Sequence, residues 1–434
     1  MLLLLATLAA SYVVGMSAWQ SRSERFLHCW DFVPSRAIDV LVIGWFFFIG
    51  SSIGSFLNVV AWRMPRGCSI RGRSHCPFCD TELGWRENWP VFGWFVLGGR
   101  CKTCRLPISS RYPIVEAAVA STVVLIAWSG LYRASPLVPF WPQRSTYVTP
   151  LWTPILSPDS LAVIFYHVAA IGCVWALALV RFDSARLPRS LVAWCFAWVA
   201  IPMLAYPLLA VVPWTVGESP TWTAEGQYLN AVMRVLTGLA SGVLLARMLA
   251  RLFCPTADPK LRPLAEDTGR LIDIALLLSL VGILVGWQAT VAVAAVSLLI
   301  AAAVPPGRLR PADPLARWVI VLPPVVALQI AFWSSLHDTR WWPSVNAAPW
   351  VTLLWAGAIL ILPRGWLRGW LPRSDVPSAE AAPDPDAIRP GEEIGDGPAE
   401  VVEADAQADF GEGVALSEPP GTAIPPAADR AGSD

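Results

Sequence analysis

Residues 37–62 read AIDVLVIGWFFFIGSSIGSFLNVVAW and decide the fold class. Asp39 is the one charged residue in this stretch. A helix of about 20 predominantly apolar residues crosses the hydrocarbon core of a bilayer, so residues 37–62 predict a transmembrane helix. The whole chain agrees, because 55% of its 434 residues are apolar and only 15% are charged. Soluble globular proteins carry about 25% charged residues, and that class is therefore excluded.

Apolar stretches of similar length recur and predict an all-α polytopic membrane protein with about eight to ten transmembrane helices. The stretch 271–304 is long for one helix and contains Gly286, which favours two helices with a short break between them. Two interpretations are open for the first stretch, a cleaved signal peptide or a retained helix. It lacks a basic start and an A-x-A site before Gln20, which favours retention. The predicted spans lie near 1–19, 37–62, 113–132, 159–181, 190–215, 229–253, 271–304, 317–336 and 348–364.

Charge is distributed unevenly along the chain, although the net charge is zero. Residues 374–434 hold 15 Asp/Glu and two Arg, and this Pro- and Ala-rich tail predicts a disordered segment. Residues 63–111, between the second and third predicted spans, are rich in arginine, and a further arginine cluster follows the fourth span. Because positively charged loops stay in the cytosol, both segments are expected to be cytosolic. We expect a multi-pass protein of the bacterial inner membrane.

Two CxxC pairs in the predicted cytosolic loop indicate a metal site. Cys76 and Cys79 form the first pair, and Cys101 and Cys104 form the second. Four thiolates complete a tetrahedron around Zn²⁺ and leave no position for a catalytic water, so the predicted zinc is structural. Two disulfides or free thiols are the alternatives. A reducing cytosol disfavours the disulfides, and the close pairing of the cysteines disfavours free thiols.

The residues around these cysteines carry a resemblance to a known family. The matching segments are GSFLNVV at 54–60, RMP at 63–65, WRENWPV at 85–91, GGRC at 98–101 and ISSRYPIVE at 108–116. In this order and spacing, residues 54–116 resemble the N-terminal domain of type IV prepilin leader peptidases/N-methyltransferases, a family of GxGD-type membrane aspartyl peptidases. The resemblance implies leader-peptide cleavage and methylation of the new N-terminus.

The rest of the membrane body resembles the family's peptidase domain more weakly. The resemblance implies two aspartates at the cytosolic ends of two spans, one in an Asp-x-Asp stretch before Leu-Pro-Asp and one closing Gly-x-Gly-Asp. The corresponding segments here are RFDSARLPR at 181–189 and GRLID at 269–273, which lies ahead of GWQ at 286–288. Asp183 and Asp273 are therefore the candidate catalytic pair.

Both segments depart from the family pattern. If Leu187 is the anchor, the family's catalytic aspartate falls on Arg181, and only a two-residue shortening puts Asp183 there. The second segment lacks the inner glycine, and its catalytic position falls on Ile274, one residue past Asp273. An aspartyl peptidase needs two carboxyls close enough to share one proton, and an arginine at either position abolishes that chemistry.

These observations leave several hypotheses for the function. The first is an aspartic endopeptidase that cleaves type IV prepilin-like or type II secretion pseudopilin precursors. The second is a non-catalytic scaffold that binds prepilin-like helices, and the third is a methyltransferase without proteolysis. A transporter is a distant fourth, because paired halves with broken helices are not found. S-adenosylmethionine is implied by the resemblance alone, with Glu87, Asn88, Gly99 and Arg100 as its expected seat.

The expected partners are the lipid bilayer and the N-terminal helices of prepilins or pseudopilins, and we expect no nucleic acid. Glu116, about one turn inside a span, is expected either to contact the zinc domain or methyl-transfer site, or to be a carboxylate near the start of its helix. The expected domains are an extra span and linker at 1–36, the zinc-bearing domain at 37–116 with its loop at 63–111, a peptidase-like membrane domain at 117–304, additional spans at 305–373 and the tail at 374–434.

Overall fold

The protein is described by a computed structural model that covers residues 2–23, 27–76, 78–132, 158–210, 227–254, 264–303, 313–337, 339–345 and 347–367. These residues are almost entirely helical, and their only β-structure is two isolated bridges in the loop between α2 and α4. The helices are α1 (Leu2–Ser23), α2 (Cys29–Arg63), α3 (Phe92–Val96), α4 (Arg111–Tyr132), α5 (Pro158–Phe182), α6 (Arg189–Ala205), α7 (Gln227–Phe253), α8 (Leu264–Val285), α9 (Trp287–Ala303), α10 (Pro314–His337) and α11 (Pro349–Leu367).

The polytopic all-α membrane fold is confirmed. Six of the described helices, α2, α4, α5, α7, α8 and α10, are long and apolar enough to cross a membrane. Three further apolar helices, α6, α9 and α11, are shorter. The expected break at Gly286 is present, because α8 ends at Val285 and α9 begins at Trp287. Gly286 has a φ of +88°, a conformation that residues with a side chain rarely adopt.

The predicted domain limits differ from the helix limits in two places. The structure extends α2 back to Cys29, so the boundary predicted between residues 36 and 37 falls inside a helix. The boundary between residues 116 and 117 likewise falls inside α4. The end of a sequence motif need not coincide with the end of a helix. The predicted acidic tail at 374–434 lies outside the described residues.

Helix α5 lies at the centre of the bundle and leads to the candidate site at its C-terminal end. Its middle is buried against other helices, with Trp175 donating a hydrogen bond to Thr122 Oγ1 of α4 (3.1 Å). Tyr166, nearer the opposite end, donates to the carbonyl of Val199 on α6 (2.7 Å). In an apolar environment such polar contacts fix the rotation of each helix about its axis. They therefore fix which residues of α5 face inward at Arg181.

Helices α7 and α8 approach each other closely because small residues line their contact. A Cβ added to Gly242 would lie 2.3 Å from the backbone nitrogen of Ser279, and one added to Gly238 would lie 2.5 Å from that of Ile283. Lipid tails are as apolar as the helices, so the hydrophobic effect does not drive membrane helices together. They associate instead through close backbone packing of this kind. This contact fixes α8, which carries Asp273 less than two turns before Ser279.

A buried polar cluster joins the first helices at the end of the bundle opposite the zinc loop. Asp39 accepts hydrogen bonds from Tyr12 of α1 (3.1 Å) and from Tyr132 of α4 (2.7 Å). It also forms an ion pair with Arg36, one turn away on α2 (2.7 Å). A charge in an apolar environment is stable only when it is paired and hydrogen-bonded, and Asp39 meets both conditions. Helix α1 is thus fixed to α2 and α4.

Candidate functional site: a metal centre and a buried carboxylate cluster

The four cysteines of the two CxxC pairs converge on one point. All four Sγ atoms lie within 4.8 Å of one another. Cys76 Sγ is 3.8 Å from Cys104 Sγ, and Cys79 Sγ is 3.8 Å from Cys101 Sγ. Zinc–sulfur bonds of about 2.3 Å in a tetrahedron require sulfur atoms separated by about 3.8 Å. The donor set therefore fits a structural Zn²⁺, and the predicted four-cysteine cluster is confirmed.

The two CxxC turns are built in the same way, 25 residues apart. In the first, the Cys76 amide donates to the carbonyl of Thr81 (3.0 Å), and in the second the Cys101 amide donates to that of Leu106 (2.9 Å). Asp80 and Arg105 follow the two pairs with φ values of +51° and +61°. Each turn is thus closed by hydrogen bonds of its own backbone. Each turn also brings the two sulfur atoms of its own pair within 4.8 Å of each other.

One sulfur of the cluster is already poised to be a thiolate. Hydrogen bonds from the side chain and backbone of Thr81 lower the pKa of Cys79 to about 6. Zinc binds thiolates rather than thiols, so metal binding by the four cysteines releases protons.

The zinc loop is fixed to the membrane helices through Glu116. This residue is 8% exposed and accepts a hydrogen bond from the amide of Val91 (2.6 Å). Val91 has a φ of +63°, which is strained for a β-branched residue, so the contact holds the loop in an unusual backbone conformation. Glu116 is also in contact with Ser55 of α2. Of the two roles expected for Glu116, the contact with the zinc domain is present.

The residues expected to hold S-adenosylmethionine occupy different environments in this loop. Glu87 Oε2 accepts hydrogen bonds from the Gly84 amide (2.7 Å) and from Lys102 Nζ (2.8 Å). The Lys102 ammonium lowers the pKa of Glu87, which keeps that carboxylate charged. Gly99 packs against the ring of Trp94, where an added Cβ would lie 2.8 Å from a ring carbon. The side chains of Asn88 and Arg100 are exposed to solvent.

Asp183 lies directly after α5 and forms an ion pair with Arg111, the first residue of α4. The two guanidinium Nη atoms contact the two carboxylate oxygens, with Nη2 2.8 Å from Oδ2. The Arg111 guanidinium also lies over the ring of Phe182, 5.4 Å from its centroid. A two-point contact of this kind is the strongest that a carboxylate makes with a side chain. It joins the C-terminal end of the zinc loop to the end of α5.

Asp273 lies in a buried cluster around Arg181. Arg181 is 4% exposed, and its Nε lies 4.0 Å from Asp273 Oδ2. Its Nη2 lies 3.5 Å from Oδ2 of Asp313, the residue that precedes α10. The backbone amide of Leu187 also hydrogen-bonds Asp273, so the turn after α5 folds over this carboxylate. Arg181 is thus held between two carboxylates from different helices.

Sequence reasoning missed Asp313 as a member of this site. Asp313 Oδ1 caps α10 by accepting from the amide of Leu315 (3.0 Å), and Arg270 Nη1 lies 3.5 Å from the same oxygen. The only signal in the sequence is Asp followed by Pro, which predicts a helix start and nothing more. The long separation along the chain from Arg181 gives no hint that the two meet.

The surviving glycine of the second motif also belongs to this region. A Cβ on Gly269 would lie 2.2 Å from the guanidinium carbon of Arg186. Any side chain at position 269 would therefore displace Arg186. The structure brings Asp273, Arg181 and Asp313 together, whereas the carboxylate of Asp183 is engaged by Arg111.

Comparison with known proteins agrees with the resemblance seen in the sequence. Residues 48–130 match the family profile described as the bacterial peptidase A24 N-terminal domain. The chain is 31% identical over 198 residues to the prepilin leader peptidase/N-methyltransferase of Myxococcus xanthus, an alignment that covers 43% of this chain and 53% of the relative. No solved structure matches.

Two other relatives give the same indication. The type 4 prepilin-like proteins leader peptide-processing enzyme of Escherichia coli is 36% identical over 115 residues, covering 21% of this chain and 43% of the relative. The prepilin leader peptidase/N-methyltransferase of Burkholderia pseudomallei is 28% identical over 249 residues, covering 42% and 77%. The chain spans about half the length of the first curated relatives that it matches. The resemblance to the type IV prepilin leader peptidase family is confirmed.

Proposed function

We propose that this protein processes the N-terminal leaders of type IV prepilin-like or type II secretion pseudopilin precursors, as a membrane aspartic endopeptidase. The names of its relatives support a leader peptidase. The observation that carries the proposal is the turn after α5, which folds over Asp273 on α8 through the amide of Leu187. Both candidate carboxyls, Asp183 and Asp273, therefore come from the same end of the bundle. By the distribution of arginine, this end and the zinc loop face the cytosol of a bacterial inner membrane.

The proposed reaction needs Asp183 and Asp273 to share one proton. One carboxyl polarises the scissile carbonyl while the other takes a proton from the attacking water, at a separation of about 3 Å. Each carboxylate has an arginine partner in the structure, Arg111 for Asp183 and Arg181 for Asp273. Catalysis by this pair therefore requires a rearrangement that releases both carboxylates from these arginines. We propose that binding of the precursor helix causes this rearrangement.

Methylation of the new N-terminus is proposed from the relatives' names. The chemistry of the exposed side chains fits part of such a ligand, because the Arg100 guanidinium suits a carboxylate and the Asn88 amide suits hydroxyl groups. Gly99 is packed against the ring of Trp94, so it gives a ligand no open space there, and Glu87 reaches a ligand only after leaving Lys102. S-adenosylmethionine, when bound, supplies the methyl group.

A second function is favoured by one specific observation. With Leu187 as the anchor, the family pattern places its catalytic aspartate at Arg181, which is buried between Asp273 and Asp313. A permanent guanidinium there leaves the site without an acid–base pair. The protein would then bind prepilin-like helices without cutting them, with its zinc loop as part of a scaffold. A methyltransferase without peptidase activity satisfies the same observation.

Co-expression with a pilin-like precursor from the same genome tests these proposals. The wild-type chain is compared with Asp183→Ala, Asp273→Ala and the control Asp159→Ala, which lies at the opposite end of α5. The peptidase proposal expects a mobility shift of the precursor that both site variants abolish and the control retains. Absence of processing by the wild type, together with co-purification of the intact precursor, would establish the binding protein instead. Methylation of a pilin supplied with its leader already removed, together with absence of cleavage of the precursor, would identify the methyltransferase.

A further inference from the structure

The zinc loop presents a set of exposed apolar side chains around α3, which we call the apolar edge. It consists of Trp85, Trp89, Phe95 and Val96, whose exposed fractions are 76%, 46%, 53% and 63%. Large exposed apolar groups in one short segment mark a binding surface rather than a random surface composition. Their contacts within the described part of the chain are partial, with Arg86 over the ring of Trp85 and Phe92 edge-on to Trp89.

The depth of this edge is set by the contact between Val91 and Glu116. Glu116 lies five residues after the start of α4 at Arg111, which corresponds to about 7.5 Å of helix rise into the span. Val91, the residue before α3, donates to its carboxylate. Helix α3 is also held at its other side, because the indole of Trp94 donates to the carbonyl of Ile108 (2.9 Å). Helix α3 therefore lies alongside the first turns of a transmembrane helix, not above it in water.

A helix of 22 residues such as α4 is about 33 Å long, close to the thickness of the hydrocarbon core. Centred in a core of about 30 Å, α4 extends about 1.5 Å beyond it at each end, so Arg111 lies near the boundary between hydrocarbon and lipid headgroups. Glu116 lies about 6 Å inside that boundary, within the depth of about 5 to 10 Å that interfacial helices reach. Aromatic side chains are enriched at this boundary, because they bury an apolar ring and keep a polar tip hydrated. The four residues of the apolar edge have the composition that this depth favours.

The charge of the same loop complements an anionic leaflet. Residues 63–111 hold nine Lys/Arg against three Asp/Glu. Two of the exposed cations are placed over exposed indoles, Arg86 over Trp85 and Arg66 over Trp62, each 4.9 Å from the ring centroid. Basic residues near a membrane surface are attracted to anionic lipids. The combination of apolar edge and basic loop is that of an interfacial membrane anchor.

We propose that the apolar edge inserts into the headgroup region of the leaflet on the zinc-loop side, where the surrounding arginines bind anionic lipid phosphates. This insertion holds the zinc loop flat against the membrane, beside the ends of α4 and α5. The zinc domain is thereby a lipid-bound platform rather than a domain free in solution. A lipid surface rather than a protein is the favoured occupant, because the edge lies at the depth of a membrane span.

Spin-label accessibility in the full-length protein tests this inference. The five cysteines outside the metal cluster are replaced by alanine, and a label is placed at Phe95→Cys or, as a second site, at Val96→Cys. The control label is Glu82→Cys, since Glu82 pairs with Arg73 in a solvent-exposed ion pair. Zinc content is measured for each variant to confirm that the loop is folded. The protein is studied in nanodiscs of phosphatidylcholine with and without phosphatidylglycerol.

The expected result is a severalfold higher ratio of oxygen to nickel-chelate accessibility at positions 95 and 96 than at position 82, and a further increase when phosphatidylglycerol is present. Equal ratios at all three positions would overturn the inference. Labels that are water-accessible in nanodiscs but immobilised in native membranes would overturn it in favour of a protein partner. Ratios independent of phosphatidylglycerol would overturn the role of anionic lipid.

Discussion

Replacing Arg181 by methionine is expected to destabilise the protein strongly, because it leaves the buried carboxylate of Asp273 without its arginine partner and removes one of the cations beside Asp313. The side chains of Arg181, Asp273 and Asp313 are 5%, 7% and 13% exposed. With an effective dielectric constant of about 20, unit charges at the observed distances of 4.0 Å and 3.5 Å attract by roughly 4 and 5 kcal/mol. Burial of the three ions costs several kcal/mol each, so most of this attraction only offsets desolvation.

Forming such a cluster gains little net free energy, whereas breaking it is strongly destabilising, and this difference sets the expected loss of unfolding free energy. Removing one partner of a buried ion pair costs about 3 to 5 kcal/mol, since the remaining charge stays buried. We therefore expect Arg181→Met to lower the free energy of unfolding by this amount in a detergent titration with sodium dodecyl sulfate. The matched control is Arg251→Met, at the exposed end of α7, which should change the free energy by no more than about 0.5 kcal/mol.

A double-mutant cycle with Asp273→Asn separates the ion pair from general packing. If Arg181 and Asp273 stabilise each other, the double variant should be more stable than the sum of the single losses predicts, by about 1 to 3 kcal/mol. Additive losses within about 0.5 kcal/mol would refute the coupling. They would mean that Arg181 is buried for its hydrocarbon chain or for other contacts, and that the site of Asp273 is free for chemistry.

Three further predictions address the zinc loop and the helix packing. Cys101→Ser should abolish zinc binding, measured as the zinc content of the purified protein by mass spectrometry. Cys68→Ser, at an exposed cysteine outside the cluster, should retain zinc, and equal zinc content in the two variants would contradict the four-cysteine site. Glu116→Leu should lose about 1 to 3 kcal/mol of unfolding free energy because an amide of the loop loses its acceptor, while Glu116→Gln keeps an acceptor and should lose less. Gly242→Ala should lower the melting temperature, because the added Cβ would overlap α8. The control Gly44→Ala should leave it unchanged, since nothing lies within 4 Å of a Cβ added there. Similar melting temperatures for the two variants would argue against a close contact between α7 and α8.

The fold was accessible from sequence because its main signals are local. Runs of apolar residues give the spans, and Gly286 inside one long run gives the break that the structure has between α8 and α9. The zinc site could also be predicted from the sequence, because each of its two CxxC pairs lies within four consecutive residues. The start of α2 was less accessible, because the span predicted near 37–62 begins eight residues after Cys29, whereas α4 lies within two residues of the span predicted near 113–132.

The carboxylate cluster could not be derived in the same way, because its members are joined only by tertiary packing. Asp313 meets Arg181 across a long stretch of chain, and the pairing of Asp183 with Arg111 joins the zinc loop to α5. A motif can indicate that a position once held a carboxylate, but not which cation lies beside it in the fold. The departure of Arg181 from the family pattern was visible, and its consequence for Asp273 required the structure.

Two arginine contacts at the same membrane end therefore determine how the proposed reaction must be controlled. Arg111 belongs to the segment that ends the zinc loop, so any movement of that loop changes the partner of Asp183. Arg181 belongs to α5 itself and is shared between Asp273 and Asp313, the residue before α10, outside the part of the chain that matches the family profile. Release of Asp183 thus needs only the loop to move, whereas release of Asp273 needs Arg181 to move away from it towards Asp313. Because Asp313 competes with Asp273 for Arg181, Asp313→Asn should leave Arg181 bound to Asp273 and slow processing relative to the wild type. A faster rate in that variant would show that Asp313 instead holds Arg181 against Asp273.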